Sequence, residues 1–150
     1  MRKLKLQVQM TVDGYIAGLN GEMDWMTFIW VNELKKYVKE ITEPVDCIVL
    51  GRKLAQGFIP YWASNPEQEG ADKLNNTKKV VFTKTLDKSE WDNTVLAKGD
   101  LVDEITELKK KDGKDIIVYG GAAFVSALIK HALIDEFHLF INPTIIGNGM

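Results

Sequence analysis

Apolar residues recur at every second position near the amino terminus, where Leu4, Leu6, Val8 and Met10 alternate with Lys3, Lys5, Gln7 and Gln9. A period of two over residues 3 to 11 predicts a β-strand with one apolar and one polar side. Asp13-Gly14 then turns the chain. From residue 25 to 41 the period changes, with Phe28, Val31, Leu34, Tyr37, Val38 and Ile41 at helical spacing, and Thr42 to Pro44 ends the predicted helix. The runs at 45–50 and 79–83 are short, mostly apolar and β-branched, which predicts interior strands. A strand near 94–97, a helix over 101–110, a strand at 116–119, a helix over 122–131 and a strand at 136–141 complete the pattern. Residues 58 to 77, with Pro60, Pro66 and Gly70, predict a long irregular segment.

Strands that alternate with helices imply right-handed crossovers and an α/β fold: a central, mostly parallel sheet with helices on both faces, in three layers. The chain has 150 residues, enough for one domain with a sizeable core. Hydrophobic residues make up 45% and charged residues 27%, the composition of an ordinary globular protein. A net charge of −2 offers no electrostatic footprint for nucleic acid or an anionic membrane. The basic run Lys109-Lys110-Lys111 follows an amphipathic helix and reads as a solvated helix end. Cys47 is the single cysteine, so no internal disulfide forms, and its apolar neighbours favour a buried thiol. No segment has the continuous apolar stretch of a signal peptide or membrane helix, and a cytoplasmic protein is expected. His131 and His138 have no carboxylate or cysteine at ligand spacing, so no metal site is expected; His131 reads as a cap on a helix dipole.

In a parallel sheet, ligands bind beyond the carboxyl ends of the strands. Three predicted strand ends carry groups suited to a phosphorylated cofactor: Gly51-Arg52-Lys53, Thr83-Lys84 and Gly120-Gly121-Ala122-Ala123-Phe124. Arginine offers a planar fork to phosphate oxygens, lysine a point charge, threonine a hydroxyl, and paired glycines bare backbone donors at a helix start. Tight packing alone explains the small residues equally well at any one of these places. Neither the Walker spacing nor Gly-x-Gly-x-x-Gly is present.

Taken in order, Thr11-Val12-Asp13-Gly14-Tyr15-Ile16-Ala17-Gly18, Asp24-Trp25, Gly51-Arg52-Lys53, Val80-Val81-Phe82-Thr83-Lys84, Val118-Tyr119-Gly120-Gly121 and Leu133-Ile134-Asp135-Glu136, with Pro143 and Gly147-Asn148-Gly149, resemble the dihydrofolate reductase-like superfamily. The resemblance is to the branch holding the reductase domain of bacterial riboflavin biosynthesis, and it covers the whole chain. It implies that NADPH is the cofactor. Arg52 would meet the adenosine 2′-phosphate, with Thr83 and Lys84 serving the same end of the cofactor. Gly120 and Gly121, joined by a cis peptide in the superfamily, would turn the chain so that the following helix meets the pyrophosphate. Ile16 and Ala17 would lie beside the nicotinamide, under a flap formed by residues 18 to 24. The superfamily continues with a further strand pair, which implies that a carboxyl-terminal segment is lacking or that another chain covers the sheet edge. A homodimer is expected on the same ground.

Departures from the pattern narrow the function. Leu54 stands where many members carry a threonine for the pyrophosphate. The acidic residue of true dihydrofolate reductases has only Glu33 as a counterpart, and Asp13 and Trp25 complete the candidates for a catalytic role; each also has a structural reading, as a solvent-facing helix carboxylate, a turn former and a packed helix start. The expectation is an NADPH-dependent reductase of a small heterocycle or ribosylamino-pyrimidine, comparable to 5-amino-6-(5-phosphoribosylamino)uracil reductase, rather than of folate. A nucleotide-binding scaffold without turnover, a dihydrofolate reductase and a flavodoxin-like module remain the competing readings.

Overall fold

Six strands form one sheet in the order β4-β3-β2-β5-β1-β6, and every described pairing is parallel. They are β1 (Leu4–Thr11), β2 (Val45–Gly51), β3 (Lys78–Phe82), β4 (Thr94–Ala97), β5 (Asp115–Val118) and β6 (Glu136–Asn142). The computed structural model describes residues 1–26 and 31–150. The helices are α1 (Asn32–Thr42), α2 (Arg52–Ser64), α3 (Ala71–Asn76), α4 (Leu101–Lys110) and α5 (Ala122–Lys130).

The alternation of side chains along each strand divides the core in two. Leu4, Leu6, Val8, Val49, Ile116 and Val118 pack against Ile105 and Leu108 of α4 and Val125 and Leu128 of α5. Ile48, Leu50, Val81, Ile117 and Phe140 face the other way, against Ile41 of α1 and Ala55 and Ile59 of α2. The three-layer α/β/α arrangement expected from the alternating pattern is the one observed. Cys47 lies in the first of these cores, where burial pushes its thiol up to about 11, so it stays protonated and inert.

Three local expectations change. The first helix starts at Asn32, not at residue 25, while Phe28 lies outside the described residues. Trp25 is instead buried in a turn, its indole Nε1 donating to Glu22 O at 2.9 Å. The segment 58–77 is mostly helical: α2 runs through Pro60 to Ser64, and α3 follows Gly70, whose φ of +87° a side-chain-bearing residue rarely adopts. Burial of Ala55 and Ile59 against the sheet outweighs the hydrogen bond that Pro60 cannot donate. The polar side of β1 is not a solvent face, since α1 lies over it. Lys5 is only 6% exposed, and its Nζ reaches Asp115 Oδ2 at 2.8 Å and Ile41 O, in the last turn of α1, at 3.2 Å. On the outer edge of the sheet, Phe137, Leu139 and Ile141 of β6 are exposed.

Asp135 ties three elements together just before β6. Its Oδ2 accepts from Leu4 N at 2.9 Å and from Lys109 Nζ at 2.9 Å, joining the start of β1 to the end of α4. Partial desolvation pushes the carboxyl up, but the hydrogen bonds from Lys109 and Leu4 and the nearby lysines prevail and hold it below the usual range. A depressed carboxylate contributes stability that is fully present above the unfolded value, about 4, and is lost as pH falls through the folded one. Asp135→Asn is therefore expected to lower the melting temperature near neutral pH and to flatten its fall below about pH 4. Thermal melts across that range check it; parallel curves for the two proteins would refute the assignment.

Candidate functional site

The sheet order brings the sequence motifs together. Because β3, β2 and β5 are neighbours, their carboxyl ends set Thr83, Gly51-Arg52 and Gly120-Gly121 side by side along one edge. Two helices begin there: α2 at Arg52 directly after β2, and α5 at Ala122 directly after the glycine pair. The first backbone N–H groups of each have no partner within the helix and face the same edge with their partial positive charge.

The glycines have separable reasons. The peptide between Gly120 and Gly121 is cis, and Gly120 has φ +134°. A Cβ on Gly51 would lie 3.2 Å from Phe124 Cβ, so Gly51 allows the start of α5 to pack closely over the end of β2. A Cβ on Gly121 would meet nothing within 4 Å, with φ at an ordinary −70°. Packing thus accounts for Gly51, whereas a Cβ on Gly121 would meet no atom beyond the adjoining residues, and in front of it is open space at the head of α5. Ala122 and Ala123 keep that mouth clear, and Phe124 turns back to pack on Phe82 with ring centroids 5.2 Å apart.

The charged and hydroxyl groups divide less simply. Arg52 is half-buried, and its guanidinium Nη1 donates to Gln56 Oε1 at 3.2 Å. Lys53 is exposed beside it. Leu54 points its Cδ2 toward Gly120 at 4.0 Å from the Cβ position, an apolar contact at the threonine position of the superfamily. Thr83 is buried, and its hydroxyl oxygen accepts from Thr85 N and Leu86 N at 3.1 Å each, so it builds the turn after β3. Lys84 Nζ donates to Lys98 O at 3.1 Å and Gly99 O at 3.4 Å, which ties that turn to the β4–α4 connection.

After β1, the chain's next loop is held by the carboxyl-terminal turn. Ile16 N donates to Met150 O, and Ala17 O accepts from Met150 N, both at 2.8 Å. The flap residues form a closed turn, in which Gly18 N donates to Glu22 O at 2.9 Å. Asp13 accepts from Thr11 Oγ1 at 2.6 Å, Gly147 N at 2.8 Å and Ile146 N at 3.4 Å; the Thr11 bond, with those backbone N–H groups, holds its carboxyl below the usual range against slight desolvation. Glu33 is exposed in the first turn of α1. Of the three candidate catalytic residues, Asp13 is thus committed to the turn it holds and Trp25 to packing, while Glu33 lies exposed on α1.

Two features were not visible as a site in the sequence. Phe58 stacks on Tyr119 with centroids 5.5 Å apart, forming an aromatic wall next to Gly120. Burial pushes the Tyr119 phenol well above its ordinary value, so it remains neutral. Gln7 and Gln9 lie on the β1 face beneath α1. Their signal in the sequence was a pair of amides two residues apart on a strand, which a solvent face explains equally well.

An all-parallel sheet flanked by helices, with glycine turns and helix starts gathered at the carboxyl ends, is the dihydrofolate reductase-like arrangement. The chain belongs to the RibD C-terminal domain family, whose model matches residues 2–150. It is 33% identical over 153 residues to the uncharacterized protein YyaP of Bacillus subtilis, covering 99% of this chain and 78% of that protein. It is 24% identical over 152 residues to the riboflavin biosynthesis protein RibD of Corynebacterium ammoniagenes, covering 97% of this chain but 44% of that protein. Among solved structures, a putative riboflavin biosynthesis protein from Shewanella sp. PV-4 superposes with a TM-score of 0.76 at 24% identity, over 100% of this chain and 81% of that one. A diaminohydroxyphosphoribosylaminopyrimidine deaminase/5-amino-6-(5-phosphoribosylamino)uracil reductase from Thermotoga maritima superposes with a TM-score of 0.69 at 21% identity, over 99% of this chain and 47% of that one. The fold is thus that of the RibD C-terminal domain. Among the described residues no helix is long and apolar enough to cross a membrane, and no group of three or more histidine, cysteine or acidic side chains could hold a metal ion.

The open space at Gly121 gives a direct test of the groove. Gly121→Ala is expected to fold with a melting temperature close to that of the parent, because the added methyl meets no atom beyond the adjoining residues. It is expected to weaken binding of a pyrophosphate-containing nucleotide about 10-fold, by blocking close approach to the backbone donors. Calorimetric titration with NADP⁺ separates the two effects.

Proposed function

We propose that the protein is an NADPH-dependent reductase acting on a small heterocycle of the ribosylamino-pyrimidine type. The observation that carries this reading is the convergence of Gly51-Arg52, Thr83-Lys84 and Gly120-Gly121 at three neighbouring strand ends. Its residues fit the cofactor: the space in front of Gly121 is open, the start of α5 supplies backbone donors for a pyrophosphate, and among the described residues the Arg52 fork has only a neutral helix neighbour as partner. The bound dinucleotide supplies the hydride. This chain's own residues bind and orient. Arg52 and Lys53 take the 2′-phosphate, the α5 start takes the pyrophosphate, and Ile16 and Ala17 border the nicotinamide. Thr83 and Lys84 shape the adenosine end through the turn they hold.

The family supports an oxidoreductase, and hydride transfer asks mainly for position, which suits a groove with few acids. A second reading, a nucleotide-binding scaffold without turnover, is favoured by one observation: Asp13 is committed to Thr11, Ile146 and Gly147. Incubation with NADPH and a panel of ribosylamino-uracils, pyrimidinones and pterins decides between them. Oxidation of NADPH with a ribosylamino-uracil is expected. Tight binding without oxidation by any member would establish the scaffold, and no NADPH binding at high micromolar concentration would sink both.

A further inference from the structure

The β1 face that looks toward α1 carries Lys5, Gln7 and Gln9, and only the first is accounted for by the fold. Gln7 Oε1 is buried with no hydrogen-bond partner, a rare condition for a carbonyl oxygen. Gln9 is held in one orientation. Asn142, 0% exposed at the end of β6, donates from Nδ2 to Gln9 Oε1 at 3.0 Å. With its oxygen committed to Asn142, the Gln9 amide presents its NH₂ group elsewhere, and among the described residues no hydrogen bond from that group is found.

Register sets the height of both amides. Leu6 of β1 with Val118 of β5 is the last described pair between these strands, so Gln7 and Gln9, further along β1, extend past the end of β5, where the chain enters Tyr119 and the glycine turn. A donor and an acceptor therefore stand on the strand next to the glycine turn, on the side of the sheet that also carries Tyr119 and Phe58. Residues two apart on a strand are separated by about 7 Å, so their amides reach opposite ends of a single six-membered ring. A ring bearing both carbonyl and N–H groups satisfies both amides; an apolar ring satisfies neither.

We propose that Gln9 and Gln7 are the specificity-determining residues of the substrate site, with Asn142 as the positioning residue for Gln9. Gln9 Nε2 donates to a ring carbonyl, and Gln7 Oε1 accepts a ring N–H, of a pyrimidinedione-type heterocycle. The assignment rests on the reductase reading above. Its competitor is internal: His138, the register partner of Gln7, also has a buried Nε2 without a hydrogen-bond partner, so a water between the two would satisfy both without any ligand.

The test uses protein saturated with NADP⁺ and titrated by calorimetry with 5,6-diaminouracil and with 5,6-diamino-1,3-dimethyluracil, which lacks the ring N–H donors. The parent is expected to prefer the unmethylated ring by at least about 10-fold, since a polar site left unpaired rejects an analogue strongly. Gln7→Met abolishes that preference. Gln9→Met weakens both ligands about 10-fold, because both retain the carbonyls. Each variant binds NADP⁺ within about two-fold of the parent. Asn142→Asp offers Gln9 only acceptors, turns its amide round and weakens the uracil as Gln9→Met does, with no further loss when the two are combined. Equal binding of the two ligands by the parent, no binding of either, or an undiminished preference in Gln7→Met would overturn the assignment, the last in favour of a bridging water. Failure of the parent to bind NADP⁺ would instead remove the reductase reading on which it rests.

Discussion

Arg52→Ala is expected to weaken NADPH binding by about 10- to 100-fold while leaving the melting temperature almost unchanged. The guanidinium lies at the start of α2, and among the described residues its only hydrogen bond runs to Gln56 Oε1, one helical turn on. Such an i, i+4 contact on a helix surface contributes roughly 0.2–0.5 kcal/mol, so its loss scarcely affects folding. A charge-assisted bond to a phosphate contributes about 1.5–3 kcal/mol, which is the larger effect by far. Because the predicted contact is with the 2′-phosphate, the loss falls on NADPH and not on NADH. Calorimetry with both dinucleotides checks this: the parent prefers NADPH, and the variant has lost the preference. Equal affinity of the parent for both would remove Arg52 from this role.

Lys5→Met is expected to have the largest effect on stability, about 3 kcal/mol, or roughly 6 to 12 °C in melting temperature for a domain of this size. The Lys5 ammonium is buried beneath α1, 2.8 Å from Asp115 Oδ2, and it also caps the carboxyl end of α1 through Ile41 O. Its removal leaves the Asp115 carboxylate facing an apolar side chain. The figure is at the low end of the range for a broken buried pair because the Asp115 side chain keeps 25% of its exposure and recovers some solvation. Neutralising the partner as well, in Lys5→Met/Asp115→Asn, is expected to restore at least half of the loss. A double variant no more stable than the single one would show that the ammonium acts through α1 alone.

These two lysine and arginine positions show how differently the chain could be read in advance. The place of Arg52 was legible because a strand, a glycine and a base are contiguous, and the strand itself carries the base to the carboxyl edge of the sheet. The same holds for Gly120-Gly121, where the strand end, the turn and the helix start lie within a few residues. Lys5 was not legible. A period of two states that β1 has two unlike faces, but the covering of the polar one by α1 depends on residues more than thirty positions away. Gln7 and Gln9 were hidden for the same reason. The helical character of 58–77 was missed because Pro60 and Gly70 are local signals, whereas the burial of Ala55 and Ile59 that stabilises α2 is a property of the packed sheet. Thr83 kept its place and acquired a different task, since only the folded turn shows its hydroxyl engaged by Thr85 and Leu86.

By itself the sequence determined the alternation of strands and helices, the class of fold and the small or basic groups at three strand ends, because each of these depends on residues adjacent along the chain. The tertiary structure decided the sheet order β4-β3-β2-β5-β1-β6, and with it which strand ends become neighbours, which face α1 covers and which amides stand beside the glycine turn. Those outcomes come from long-range packing of apolar faces, whose partners are set by burial and register between strands rather than by any local pattern.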